Sequence, residues 1–318
     1  MSLKIFSGTS NPALSEEVAN QMGTSLAKAE VVRFGNSEVR VRVEEDVKHD
    51  TCVVIQSTAN PTDTNLMELY LMCDALRREE ARRVIGIVPY FGYARQNIQH
   101  RAGECVSVNV VIRFMEAIGF QKIYTFTLHD EATEGVFNIP FRNLSAFPLM
   151  AQEVKKYIEA KGITVTPQTV SVISPDQGGI ERARHFGLDL FGDVPFQIAV
   201  TEKKRDLQHI HQSKALDLYG DVTGKMAVII DDVATSGSTL MNAAEAALEK
   251  GATGALAAIV HHDFSSGTPE KLQQSKLEKF FTTNTIALKE EHRFEKLQEV
   301  SVASLIVQEL KAITQYLL

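Results

Sequence analysis

Between Asp231 and Thr239 the chain reads Asp231-Asp232-Val233-Ala234-Thr235-Ser236-Gly237-Ser238-Thr239, a run in which small, hydroxylated residues follow paired acids. From Thr235 to Thr239, side-chain hydroxyls and backbone N–H groups can converge on a phosphate, helped by the positive end of a following helix. The two carboxylates cannot share that phosphate without repulsion. They suit the hydroxyls of a phosphorylated sugar, or a magnesium ion bound to them. A plainer alternative is that the acids form a solvated loop and Thr235-Ser236 cap a helix. An apolar strand running straight into paired acids is hard to reconcile with it.

Such a cradle requires a strand to deliver it and a helix to receive it. Ala227-Val228-Ile229-Ile230 precedes it, a helix is expected from about Leu240 to Lys250 with Gly251 as C-cap, and Ala255-Leu256-Ala257-Ala258-Ile259-Val260 reads as the next strand. The first half repeats that order: Cys52-Val53-Val54-Ile55, then Leu66, Leu69, Tyr70 and Cys73 at helical spacing, then Val84-Ile85-Gly86-Ile87-Val88. This alternation predicts an α/β fold of two similar domains, each a mainly parallel sheet flanked by helices. Ligands of such sheets bind beyond the carboxyl ends of the strands. There the first copy has Gln56-Ser57-Thr58, without acid pair or glycine, so only the second should hold a sugar phosphate. The expected boundaries are roughly 1–147, 148–300 and 301–318. The last segment, with Ile306, Leu310, Ile313 and Leu317 at helical spacing, reads as an amphipathic helix packing back on the N-terminal domain.

Composition narrows the classes. At 318 residues, 44% hydrophobic and 23% charged, the chain has the size of two domains and lies far from the disordered corner. A net charge of −7 argues against a sequence-independent grip on nucleic acid, which rests on a basic surface. No apolar run approaches the ~18 residues of a membrane span, and no leader pattern precedes Leu3, so a soluble, unexported protein is expected. Cys52, Cys73 and Cys105 are odd in number and lack CxxC spacing, pointing to neither disulfides nor zinc and fitting a reducing cytoplasm.

Other strings could carry chemistry. Pro89-Tyr90-Phe91-Gly92-Tyr93-Ala94-Arg95-Gln96 follows an apolar strand, and a guanidinium fork such as that of Arg95 is shaped for phosphate. His129, in Thr127-Leu128-His129-Asp130, follows Ile123-Tyr124-Thr125-Phe126; a lone histidine there is more often structural than metal-binding. Asp176-Gln177-Gly178-Gly179 follows Val170-Ser171-Val172-Ile173, its glycines permitting close approach to a ligand or simply a turn. Thr201-Glu202-Lys203-Lys204-Arg205 is a charge run of the kind that usually forms a solvated face.

The Asp231 to Thr239 string resembles the phosphoribosyl-diphosphate loop of the type I phosphoribosyltransferase superfamily. The strings around Arg95 and Asp176, with Leu3-Lys4-Ile5-Phe6-Ser7-Gly8 and Arg33-Phe34-Gly35-Asn36-Ser37-Glu38, resemble one branch of it, the ribose-phosphate diphosphokinases, over nearly the whole chain. The resemblance implies transfer of a diphosphoryl group from ATP to ribose 5-phosphate with Mg2+, in a homo-oligomer built as a hexamer of dimers. It implies that Asp231, Asp232, Thr235, Ser236, Gly237, Ser238 and Thr239, with Asp176, bind ribose 5-phosphate. Phe34, Asn36 and Glu38 would take adenine in a site shared between subunits, and Arg95, Gln96 and Lys48 the ATP phosphates. His129 and Asp176 would hold magnesium, while Lys203, Arg205 and His129 serve catalysis, the two cations by stabilising the transition state. Read without the resemblance, Phe34 is a core or strand-edge aromatic and Glu38 a surface charge.

The chain departs from the family's commonest pattern, Asp-Leu-His-Ala followed by Phe-Asp-Ile-Pro and a further aspartate: Thr127, Asn138 and Arg142 replace those acids. Asn97 replaces an aspartate of the mobile loop, and Gly103 stands where a second basic residue is frequent. Rival readings are a phosphoribosyltransferase and a non-catalytic associated subunit. The duplicated domain and the Phe34, Asn36, Glu38 set count against the first, and the retained Lys203, Arg205, His129 and Asp176 against the second.

Overall fold

The computed structural model describes residues 2–203 and 216–315, with the backbone alone described at Lys203 and Leu216. Two compact units make up the chain: Met1–Ser145 with Asn284–Ala287 and Ser301–Leu318, and Ala146–Thr283 with Leu288–Val300. Each unit is thus assembled from separated segments rather than from one contiguous stretch.

The first unit opens with β1 (Leu3–Ser7), α1 (Pro12–Gln21) and a hairpin of β2 (Ala29–Arg33) and β3 (Val39–Val43). It continues through β4 (Thr51–Ile55), α2 (Thr62–Arg78), β5 (Arg83–Ile87), α3 (Ser107–Ile118), β6 (Lys122–Phe126) and β7 (Phe141–Leu144). β1, β4, β5, β6 and β7 lie side by side in that order, all parallel. β4 is apolar from Cys52 to Ile55 and buried at every residue, as a strand covered on both faces must be. α2 buries Leu66, Leu69 and Cys73 of the expected stripe, with Met72 and Leu76 beside them, while Tyr70 is only half-buried. α3 ends at Gly119, whose φ of 108° a residue with a side chain rarely adopts.

The second unit runs α4 (Phe147–Ala160), β8 (Val170–Ser174), α5 (Ile180–Phe191), β9 (Ile198–Lys203), β10 (Leu216–Tyr219), β11 (Met226–Ala234), α6 (Ser238–Glu249), β12 (Gly254–His262), α7 (Thr268–Gln274), β13 (Lys279–Thr283) and β14 (Leu297–Val300). Its seven-stranded sheet has the order β10-β9-β8-β11-β12-β13-β14, in which β10 alone runs antiparallel to its neighbour. From β8 onward the chain visits its strands in the same succession as the first sheet, so the units are two versions of one design. The final helix, α8 (Ala303–Gln315), belongs to the first unit, burying Ile306, Val307 and Leu310. Among the described residues no helix is long and apolar enough to cross a membrane.

One boundary differs from expectation in a way that matters for chemistry. β11 does not stop at Ile230 but runs on to Ala234, because β12 extends beside it and keeps the ladder paired, Asp231 opposite Ile259 and Ala234 opposite His262. The paired acids therefore ride on a strand, held by the sheet, rather than on a loop.

Candidate functional site

Asp231 and Asp232 occupy the carboxyl-terminal end of β11, and Thr235-Ser236-Gly237 link them to α6. Asp232 is 3% exposed. Neither acid is left to repel the other unopposed: Arg182, in the first turn of α5, places Nη2 3.1 Å from Oδ1 of each. The Asp232 N–H also donates to Asp231 Oδ1 at 2.9 Å. Burial and the neighbouring Asp232 push Asp231 well above the ordinary carboxylate range, and the Arg182 guanidinium opposes them.

The cradle after the acids is shaped by two devices. Gly237 has φ 68°, and a Cβ there would lie 3.0 Å from Leu272 Cδ2, so the turn into α6 accepts only glycine without strain. The Thr235 carbonyl is held from behind by the Ser265 N–H at 3.1 Å and the Thr268 hydroxyl at 2.8 Å. Ser236 and Thr239 are exposed and Ser238 half-buried, with the Ser236 hydroxyl 3.2 Å from that of Ser238, at the amino-terminal end of a twelve-residue helix.

Asp176 follows β8 in the same unit and is exposed. Its Oδ1 accepts the Gly179 N–H at 2.9 Å, closing the 3₁₀ turn Gln177–Gly179. The two glycines here differ in purpose. A Cβ on Gly179 would meet Ser174 Oγ at 2.7 Å, whereas Gly178 faces open space apart from Asp176; only the latter leaves room for a ligand. Among the described residues no group of three or more His, Cys, Asp or Glu side chains is arranged to hold a metal. Magnesium does not need one: it takes one or two carboxylates and completes its shell with water and substrate phosphates, and Asp176 is a donor of that kind.

In the first unit Arg95 and Gln96 lie just past β5 and His129 just past β6, at the same carboxyl edge of the sheet. Arg95 is exposed and His129 half-buried. The Gln96 side-chain oxygen accepts the Ser107 hydroxyl at 2.6 Å, tying this segment to the start of α3. Asn97 donates to the Asp130 carboxylate, joining it to the loop of His129. Phe34, Asn36 and Glu38 come together at the tip of the β2–β3 hairpin, where the Phe34 N–H donates to the Glu38 carbonyl at 2.8 Å and Phe34 is 45% exposed. Phe34 is not a core aromatic; it sits at the end of β2 with Arg40 over its ring. Lys48 is not brought to that edge. It precedes β4, bridges to Ala81 before β5 and pairs with Glu80 at 2.6 Å, on the amino-terminal side of the sheet.

Of the residues that stand in place of the usual acids, Asn138 and Arg142 have polar partners. Asn138 donates its side-chain N–H to Glu116 at 2.9 Å, Arg142 lies 4.0 Å from Glu309 of α8, and Thr127 holds φ 40°. Arg205 and the side chain of Lys203 lie outside the described residues. Sequence reasoning missed Arg182, Ser265 and Thr268. The last two sit in Phe264-Ser265-Ser266-Gly267-Thr268-Pro269, a turn-rich string beyond β12 that could have been noticed; nothing marked Arg182.

Residues 3–119 match the family model of the N-terminal domain of ribose phosphate pyrophosphokinase, and residues 190–316 that of the phosphoribosyl synthetase-associated domain. The chain is 35% identical over 306 residues to "Ribose-phosphate pyrophosphokinase 1" of Streptococcus pyogenes, covering 96% of this chain and 92% of that one. It is 37% identical over 307 residues to "Ribose-phosphate pyrophosphokinase" of Caldanaerobacter subterraneus subsp. tengcongensis, covering 96% and 93%. The crystal structure of phosphoribosylpyrophosphate synthetase from Mycobacterium smegmatis superposes with a TM-score of 0.89 at 28% identity, covering 99% of this chain and all of that one.

Proposed function

Because the chain belongs to the ribose-phosphate pyrophosphokinase family, we propose that it transfers the diphosphoryl group of ATP to ribose 5-phosphate, giving AMP and 5-phospho-α-D-ribose 1-diphosphate. One observation carries the reading beyond family membership: a paired-acid strand end delivers a glycine-dependent cradle of hydroxyls and amides in the second unit, while its counterpart in the first is closed by the chain itself. There Gln56 accepts the Ser10 N–H at 3.0 Å and Thr58 takes the Gly92 N–H at 2.7 Å. One sugar phosphate per chain follows.

In this reading Thr235 to Thr239 grip the 5-phosphate and Asp231 and Asp232 accept the ring hydroxyls, leaving the anomeric hydroxyl to attack the β-phosphorus. Phe34, Asn36 and Glu38 take adenine, in a site completed by a second copy of the chain, and Arg95 and Gln96 the nucleotide phosphates. Asp176 would offer a carboxylate to magnesium, which when bound neutralises phosphate charge. Little covalent help is needed in such transfers, so positioning and electrostatics supply the rate. Lys48 pairs with Glu80 at the amino-terminal edge of its own chain's sheet. The buried free thiols Cys52 and Cys73 support work in a reducing compartment such as the cytoplasm.

The replaced acids at Thr127, Asn138 and Arg142 favour a second reading, a non-catalytic partner of a true synthetase. An assay of the purified chain alone, with ATP, ribose 5-phosphate and magnesium, separates the two: AMP release dependent on ribose 5-phosphate is expected, and none would leave only the partner role. In the active protein, Lys203→Ala or Arg205→Ala should cut kcat about a hundredfold, on the order of 3 kcal/mol of lost transition-state stabilisation.

A further inference from the structure

We propose that Arg182 is a positioning residue for the sugar substrate, its guanidinium pinning both acids of β11 in the orientation that receives the ribose hydroxyls. The inference rests on the reading of Asp231 and Asp232 as the sugar-binding acids.

Successive side chains of a strand leave on opposite faces, so Asp231 and Asp232 have no local reason to act on one ligand. A single atom supplies one: Arg182 Nη2 lies 3.1 Å from Oδ1 of Asp231 and 3.1 Å from Oδ1 of Asp232. The pin is sheltered, with side-chain exposures of 13% for Arg182, 16% for Asp231 and 4% for Asp232, so the contact is poorly screened by water. Two carboxylates held this close in partial burial are stabilised by a cation between them, and removing it weakens that compensation. Arg182 is itself fixed, because α5 starts directly after the Asp176 turn. The helix therefore ties the acid pair to the turn bearing Asp176, within one unit.

A salt bridge that merely held α5 to the sheet would look similar in a structure, so the test must read substrate handling. Full-length Arg182→Gln, Arg182→Lys, Asp231→Asn, Asp232→Asn and the double variant Arg182→Gln/Asp231→Asn are compared by KM for each substrate, calorimetric binding of ribose 5-phosphate, and thermal melting. Arg182→Gln is expected to raise KM for ribose 5-phosphate roughly ten- to a hundredfold, with KM for ATP within about twofold. Arg182→Lys should fall between it and the parent, since an ammonium is a point charge without the planar guanidinium. The double variant should cost less than the product of its two single effects, because Arg182 acts through the acid. Unchanged KM for ribose 5-phosphate in Arg182→Gln, or strict multiplicativity in the double variant, overturns the proposal. So does a parallel rise in both KM values with a lowered Tm, which would leave Arg182 a purely structural tie. Should Arg182→Gln fail to fold, Arg182→Lys decides, and parent-like KM there overturns it. If Asp231→Asn and Asp232→Asn both leave KM for ribose 5-phosphate unchanged, the sugar-binding reading itself falls, an outcome separate from failure of the pin alone.

Discussion

Gly237 meets two constraints at once: its φ of 68° lies in the left-handed region, and Leu272 closes the space a Cβ would enter. Alanine there should cost about 1 kcal/mol from backbone strain alone, and more where Leu272 must give way. Gly237→Ala is expected to lower Tm modestly and to raise KM for ribose 5-phosphate about tenfold, because the displaced amides no longer converge on phosphate; melting curves and steady-state kinetics check both. The cysteines give a second residue-scale prediction. Burial pushes the thiols of Cys52 and Cys73 up to about 12, whereas Cys105 is exposed. Since the thiolate is the reactive form, a maleimide applied to the native protein should modify Cys105 alone, with the other two reacting only after denaturation. Peptide mass spectrometry reads the result directly, and early modification of Cys73 would show that α2 does not pack as described.

At the scale of elements, α7 matters although no ligand-binding residue was placed on it. Its first residue, Thr268, reaches back to the Thr235 carbonyl, so the cradle is supported by a neighbouring helix as well as by its own strand. Thr268→Val keeps the shape and removes the hydroxyl. A loss of about 1 kcal/mol in stability and a several-fold rise in KM for ribose 5-phosphate, with KM for ATP unchanged, are expected from unfolding curves and kinetics; an unchanged KM would show the cradle to be rigid without this prop. Such support was not legible in the sequence, and the reason is general. Apolar runs and helical spacing announced the order of strands and helices, because each pattern is local. The link from Thr268 to Thr235 and that from Arg182 to Asp231 and Asp232 exist only once distant segments fold together. The acids themselves misled in one respect: charged residues read as a loop, yet β12 keeps β11 paired through them. Phe34 was ambiguous until the hairpin turned its ring outward.

The whole molecule is a duplicated design in which one copy keeps the ligand loop open and the other fills it with Gln56, Ser57 and Thr58, all buried. In the proposed reading the first unit, holding no sugar phosphate, serves nucleotide binding and association. The surface fits: α2 and α3 present a groove of about 320 Å³ lined by Met67, Tyr70, Val110 and Phe114, with Phe114 58% and Met67 51% exposed. An apolar groove open to water is characteristic of a protein interface, and under the proposal of a nucleotide site shared between subunits its occupant is a second copy. Burying one large apolar side chain is worth about 1.5–3 kcal/mol, and a two-fold interface counts it twice. Phe114→Glu should therefore weaken self-association by about a hundredfold or more, visible as a smaller species in sedimentation velocity. If adenine is taken between subunits, the same variant should raise KM for ATP while the calorimetric affinity for ribose 5-phosphate stays put, because the cradle lies in the other unit. A variant that sediments like the parent would remove this face from the assembly, and one that dissociates with an unaltered KM for ATP would make the nucleotide site the property of a single chain.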